Sequence, residues 1–238
     1  MQPIYNLHTK SFTGAEALLR LKNEDGEYIP PMDYIPKAES DGDIVSIGRI
    51  VLRKTCEYIS KGNLKNLGIE KVHINLSVVE CMQDDIVKVI VDTLESYNVP
   101  RDFIRLEITE TMLAADSEKL LHTMLDLSEH GIDFALDDYG TGDSNTSRML
   151  SFPFSEIKFD KSLIDSMQNK EGNLLMKHLT SMIKDIDRLV LAEGVEIPAD
   201  VELLKNMNCD LIQGFYFAKP MPREEFVKFL STNRDLVI

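Results

Sequence analysis

Asp137 and Asp138 stand side by side at the end of the apolar run Phe134-Ala135-Leu136, and Gly140-Thr141-Gly142 follows after Tyr139. Two adjacent carboxylates repel each other, and burying them without a counter-charge costs several kcal/mol. The pair therefore sits either in an ordinary solvated turn, where Asp and Gly are common for backbone reasons alone, or opposite something positive. Glu16, Asn75, Glu107, Lys158, Glu193 and Gln213 also close or follow apolar runs. Each has a plain explanation taken singly. Lys158 can snorkel from a strand edge, Glu107 and Glu110 can flank a helix start, Asn75 and Ser77 can cap one, and Glu193 before Gly194 can be a turn acid. Taken together, Glu16, Asn75, Glu107, Asp137 and Asp138 form an all-oxygen set suited to hard divalent cations such as Mg²⁺ or Mn²⁺. No histidine or thiol ends a run beside them, which argues against zinc. Two such ions about 3.5 to 4 Å apart can activate water and stabilise both oxygens of an in-line displacement at phosphorus.

Placing these residues on one rim requires a particular alternation of elements. Residues 2 to 7 and 13 to 21 are apolar stretches joined by His8-Thr9-Lys10-Ser11, a link too short for a crossover helix, so the first two strands are expected to be antiparallel. Residues 13 to 21 are contested, because Ala15-Glu16-Ala17-Leu18-Leu19-Arg20-Leu21 consists of good helix formers. Then follow a turn-rich segment through Pro30-Pro31, a helix on Ile44, Ile47, Val51 and Tyr58, a strand from Val72 to Ser77, and a helix through Ile86 to Leu94. The pattern continues with strand Phe103 to Thr109, helix Leu120 to Leu127, strand Ile132 to Asp137, and a short helix from Asn145 to Leu150. Strand Ile157 to Phe159, helix Leu175 to Ile186, strand Leu189 to Ala192, helix Val201 to Met207, strand Leu211 to Phe217 and a last helix from Pro222 complete it. Such alternation implies an α/β fold with a mostly parallel sheet, and eight strands point to a closed TIM-like (β/α)8 barrel whose catalytic groups gather at the C-terminal strand ends.

The 238 residues fit one domain, 1–238, with no linker or repeat visible. Forty acidic against 26 basic residues give a net charge of −14, which argues against DNA or RNA polymers and against membrane contact by this domain itself. Cys56, Cys81 and Cys209 show no metal or disulfide spacing, and no apolar run approaches the roughly 18 to 20 residues of a membrane span. The expectation is a cytoplasmic protein. Met1 opens almost directly onto a strand, which suggests a module excised from a longer signalling protein, one that could itself be membrane-attached.

The chain resembles the EAL domain family, the module that hydrolyses the bacterial second messenger cyclic di-GMP. The resemblance rests on Gln2-Pro3-Ile4, Glu16-Ala17-Leu18-Leu19-Arg20, Asn75-Leu76-Ser77, Glu107-Ile108-Thr109-Glu110, Asp137 to Gly142, Ile157 to Lys161, Ala192 to Glu196 and Gln213-Gly214-Phe215, in order along residues 2 to 230. It implies a TIM-like barrel with an antiparallel first strand and takes Glu16 to Arg20 as strand. It further implies that Glu16, Asn75, Glu107, Asp137 and Asp138 ligate two ions of Mg²⁺ or Mn²⁺, with Asp137 bridging. Lys158 would touch the attacking water, and Glu193 and Gln213 would position that water or orient Lys158 and the metal shell. Leu18 and Arg20 would contact the nucleotide, Glu110 would anchor the loop after Asp138, and the protein would act as a homodimer releasing linear pGpG.

Two departures from the family pattern stand out. After Gly142 come Asp143, Ser144, Asn145 and Thr146 where active members often carry Tyr-Ser-Ser and Leu, in a loop that couples metal binding to dimerisation in the family. Leu21 replaces a common Trp, and the chain has no Trp. Neither change removes a proposed ligand. A non-catalytic cyclic di-GMP receptor and a nucleotide-independent interaction module are the alternative readings; the retained Lys158, Arg20 and acidic set argue against both.

Overall fold

The computed structural model describes residues 1–114, 117–141 and 146–233. Eight strands close a barrel: β1 (Gln2–Asn6), β2 (Ser11–Ala17), β5 (Lys71–Asn75), β6 (Ile104–Thr109), β7 (Asp133–Tyr139), β8 (Phe154–Phe159), β9 (Leu189–Ala192) and β10 (Leu211–Ile212). The short strands β3 (Leu21–Lys22) and β4 (Tyr28–Ile29) pair separately beside it. Around the barrel the order is β1-β10-β9-β8-β7-β6-β5-β2, with β1 antiparallel to both neighbours and the other pairings parallel. The reversal from β1 to β2 is local chemistry. Asn6 Oδ1 accepts from the N–H groups of His8 and Thr9 at 2.9 and 3.0 Å, and Lys10 takes a left-handed φ of 55°.

Side chains alternate along each strand, and this sorts the core. Val72 and Ile74, Ile104, Leu106 and Ile108, and Ile157 and Phe159 pack outward in one large apolar cluster with the surrounding helices, including Leu94, Leu120, Met124 and Met176. Their inward neighbours are mostly polar. Apolar branched residues usually fill the interior of such barrels. Here only Ile4, Leu191 and Leu211 form a separate small apolar cluster, and His73, Arg105, Glu107, Glu156 and Lys158 contact one another across the remaining interior.

Several boundaries differ from expectation. Strand β2 ends at Ala17 and does not run on through Arg20. Its partners run out there, since Ala17 faces Ile74 one residue before β5 ends, and Glu16 already faces Gln2 at the start of β1. Strand β5 stops at Asn75 because Ser77 becomes an N-cap: its Oγ accepts from Val79 N–H at 3.2 Å, and its own N–H donates to Glu80 Oε2 at 3.0 Å. Strand β10 stops at Ile212, not Phe217. Gly214 lies so close to Val195 that a Cβ would stand 2.0 Å from the Val195 carbonyl oxygen, and Tyr216 and Phe217 beyond it pack against the core, with Phe217 stacked on Tyr5 at 4.8 Å. The helix Pro31–Asp41, opening on a proline, was not anticipated within the turn-rich segment. The final helix, Arg223–Thr232, starts directly after Pro222 as expected.

All three cysteines are free and buried, and burial pushes each thiol up to about 12. Among the described residues no helix is long and apolar enough to cross a membrane.

Candidate active site

Lys158 is the centre of the mouth. It is 1% exposed, and its Nζ lies 2.6 Å from Glu107 Oε1, 2.8 Å from Asp137 Oδ1 and 2.9 Å from Glu193 Oε1. Three carboxylate oxygens thus crowd one ammonium, and Asp137 Oδ1, for all its closeness, is buried with no hydrogen-bond partner. Burial disfavours the charged amine, but Asp137, Glu107, Glu193 and Glu16 outweigh it and hold its pKa well above the ordinary lysine value.

The carboxylates answer to the same field. Burial drives Glu107 well above its usual range despite Lys158, and Glu193 is pushed up to about 8 by burial, with Asp137 and Glu16 adding to it. Asp138 is raised to about 6 by burial and by its neighbour Asp137. Glu16 alone goes the other way. Burial opposes its ionisation, but Lys158 and the amides of Gln213 and Asn75 overcome it, the amides donating at 2.6 and 3.0 Å. Five carboxylates thus share one ammonium, and three of them are driven toward protonation because one positive charge cannot serve them all.

Strand alternation should turn Asp137 and Asp138 to opposite faces. Asp138 instead adopts φ 55°, a left-handed conformation that Asp tolerates better than most residues, and the β7–β8 register shifts between Leu136 and Tyr139. The result is that Asp137, Asp138 and Glu193 each offer an oxygen within 4.8 Å of the others. Glu16 and Glu107 lie outside that group of three, and Lys158 links the two sides.

A divalent cation fits this donor set. Glu107 Oε1 receives both Lys158 and His73 Nδ1, at 2.9 Å, while Glu107 Oε2 is fully buried and has no hydrogen-bond partner. An orphaned carboxylate oxygen costs about 1 to 3 kcal/mol or more unless something positive meets it. Asn75 is exposed at the rim, with its carbonyl oxygen as a further neutral donor.

The other sequence-predicted residues fall around this centre. Gln213 Nε2 also donates to Gln2 Oε1 at 3.1 Å, so Gln2, which the sequence marked as part of a motif but gave no site role, joins the rim opposite Glu16. Glu110 Oε2 accepts from Gly140 N–H at 3.1 Å, and Gly140 has φ 105° with Leu163 so near that a Cβ would meet it at 2.5 Å. The departures at Asp143 to Asn145 lie outside the described residues. Leu18 and Arg20 follow Glu16 beyond the end of β2. They line a cavity of about 1020 Å³ next to the mouth, together with Phe215, Lys219 and Tyr58. Lys219 lies over the Phe215 ring at 5.2 Å, and Phe215 is exposed.

Below the mouth a second layer of charge appears that the sequence did not reveal. Arg105 pairs with Glu156 and reaches Asp133 Oδ2 at 3.4 Å, Lys71 pairs with Asp133, and His73 sits between Glu107 and Glu156. Burial and the cations Arg105, Lys158 and Lys71 keep His73 well below the usual histidine pKa, hence neutral.

Comparison with known proteins agrees with this architecture. The EAL domain family profile matches residues 1–220. The signaling protein YkoW of Bacillus subtilis (strain 168) is 34% identical over 230 residues, covering 96% of this chain and 29% of YkoW. The oxygen sensor protein DosP of Escherichia coli (strain K12) is 32% identical over 232 residues, covering 97% of this chain and 29% of DosP. The chain therefore spans less than a third of either relative. Among solved structures, the PaMucR phosphodiesterase in its c-di-GMP complex superposes with a TM-score of 0.87 at 28% identity, over 94% of this chain and 92% of that one.

Proposed function

The chain belongs to the EAL domain family, and from that premise we propose that it hydrolyses one phosphodiester bond of cyclic di-GMP to give linear pGpG. The observation that carries the proposal is a pair of buried carboxylate oxygens without hydrogen-bond partners, Glu107 Oε2 and Asp137 Oδ1, in a cluster of acids that share one lysine. Glu16, Asn75, Glu107, Asp137 and Asp138 would hold two ions of Mg²⁺ or Mn²⁺, with Glu193 close enough to Asp137 and Asp138 to share in the site. When bound, the ions supply Lewis acidity to the attacking water and to the phosphoryl oxygens.

The chain's own residues do the rest. Lys158 is held by ion-pair contacts to three carboxylates. An N–H of Lys158 turned toward the attacking water would favour the deprotonated form of that water. Glu193 and Gln213 fix Lys158 and Glu16 in place. Arg20 would pair with a phosphate and Leu18 would pack against the nucleotide from the adjoining cavity. Glu110, through Gly140, would hold the loop that follows the two aspartates. Water oxygen bonds to phosphorus, the P–O3′ bond breaks, and the 3′-oxygen leaves with a proton, which accounts for the 5′-phosphate of pGpG.

The proposed setting is cytoplasmic, with residues 1–238 working as one homodimeric module of a larger signalling protein. Chromatography of cyclic di-GMP incubated with EDTA-stripped protein, with and without Mg²⁺ or Mn²⁺, tests the activity, and calorimetry of nucleotide binding accompanies it. Metal-dependent pGpG supports the proposal; tight binding with no product would make the chain a receptor, and no binding an interaction module.

A further inference from the structure

We propose that His73 is a positioning residue, one that turns the Glu107 carboxylate so that a single oxygen is left for a metal ion; this rests on the two-metal reading above. His73 lies on β5 two residues before Asn75, and Glu107 is the β6 partner of Asn75, so the imidazole sits one layer beneath the carboxylate. Both side chains are fully enclosed, at 1% and 0% exposure. His73 Nδ1 is 2.9 Å from Glu107 Oε1 and 3.6 Å from Glu156 Oε1, and in the tautomer with the ring proton on Nδ1 it donates to Glu107. Arg105 holds Glu156 from below by its other oxygen, which closes the floor under the imidazole.

The division of labour at Glu107 identifies the role. Lys158 Nζ and His73 Nδ1 both lie against Oε1, at 2.6 and 2.9 Å, while Oε2, equally buried, has no hydrogen-bond partner. A histidine present only to satisfy a buried acid would be expected to relieve the empty oxygen, since that is where the desolvation penalty is largest. Two nitrogens against one oxygen instead hold the carboxylate's rotation and keep the second oxygen free for a cation. A floor residue that orients a ligand in this way affects metal affinity without touching the metal.

The test is calorimetric titration of the EDTA-stripped full chain with Mn²⁺ alone, for wild type, His73→Leu, His73→Asn and His73→Gln, with thermal melts in EDTA as a check on folding. Asn places its amide N–H near the position of Nδ1, whereas the longer Gln reaches past it toward the position of Nε2. His73→Leu and His73→Gln are expected to weaken Mn²⁺ binding by about 10- to 100-fold, and His73→Asn to restore it to within about threefold of wild type. Should His73→Leu fail to fold, the Asn and Gln contrast decides the matter. Unchanged affinity in His73→Leu, or His73→Asn no better than His73→Gln, would overturn the role. Wild type that binds Mn²⁺ but makes no pGpG would overturn the proposed activity and leave this inference standing; wild type that binds no Mn²⁺ would overturn both.

Discussion

Replacing Glu80 with Gln should make the protein more stable at neutral pH, by an amount that depends on pH in a defined way. Glu80 is 6% exposed and closes the capping box at Ser77. It lies so tightly over Gly48 that a Cβ there would be 1.7 Å from Glu80 Oε1. Burial, opposed by the hydrogen bond from Ser77 N–H and reinforced by Glu39, raises its pKa from 4.5 to about 7. The folded state thus holds the proton more tightly than the unfolded chain. The associated stability is fully present below about pH 4.5 and is lost as pH rises through about 7. At about 1.4 kcal/mol per pH step, the wild type forfeits about 3 kcal/mol across that window. Gln keeps an acceptor for Ser77 N–H and carries no charge, so its curve lacks the loss. For a chain of this size the melting-temperature difference between variant and wild type should widen by roughly 6 to 12 °C from pH 4.5 to pH 8. Thermal melts in EDTA at several pH values measure it, and parallel curves for the two proteins would refute the reasoning.

Other outcomes follow from the same structure. Lys158→Met leaves Glu107, Asp137 and Glu193 buried against one another, so in EDTA it should lose about 3 to 5 kcal/mol by chemical denaturation, with Mn²⁺ recovering part of the loss. Gly48→Ala forces Glu80 out of its seat and should cost about 1 to 3 kcal/mol, whereas combining it with Glu80→Ala should restore most of that in a double-mutant cycle. Phe217→Ala removes a ring packed on Tyr5 and Phe12 and should cost about 3 to 5 kcal/mol, which a surface strand residue would not.

Legibility in the sequence followed the physics of each element. Strand Leu189–Ala192 is found where the sequence placed it, since a short buried parallel strand leaves an apolar run with sharp ends. Strand β2 was overextended because its end is set by where β1 and β5 stop, which no local residue encodes. Strand β10 was overextended because Tyr216 and Phe217 read as strand residues while serving as core. The rim acids were visible, since charged residues interrupt apolar runs. Their gathering on one rim followed from the barrel, but the close grouping of Asp137, Asp138 and Glu193 did not, because it depends on the left-handed Asp138 and the register shift beside it. His73, Arg105 and Glu156 escaped notice because a polar residue alternating with apolar ones looks like a solvent-facing position, and only closure of the barrel turns that face inward.

The central claim is that the mouth around Lys158 binds two catalytic cations. Anomalous scattering from a crystal grown with Mn²⁺ tests it most directly. Two peaks about 3.5 to 4 Å apart are expected, contacted by Asp137, with Glu107 Oε2 on one of them. A mouth with no anomalous peak at saturating Mn²⁺, or peaks remote from these carboxylates, would contradict it.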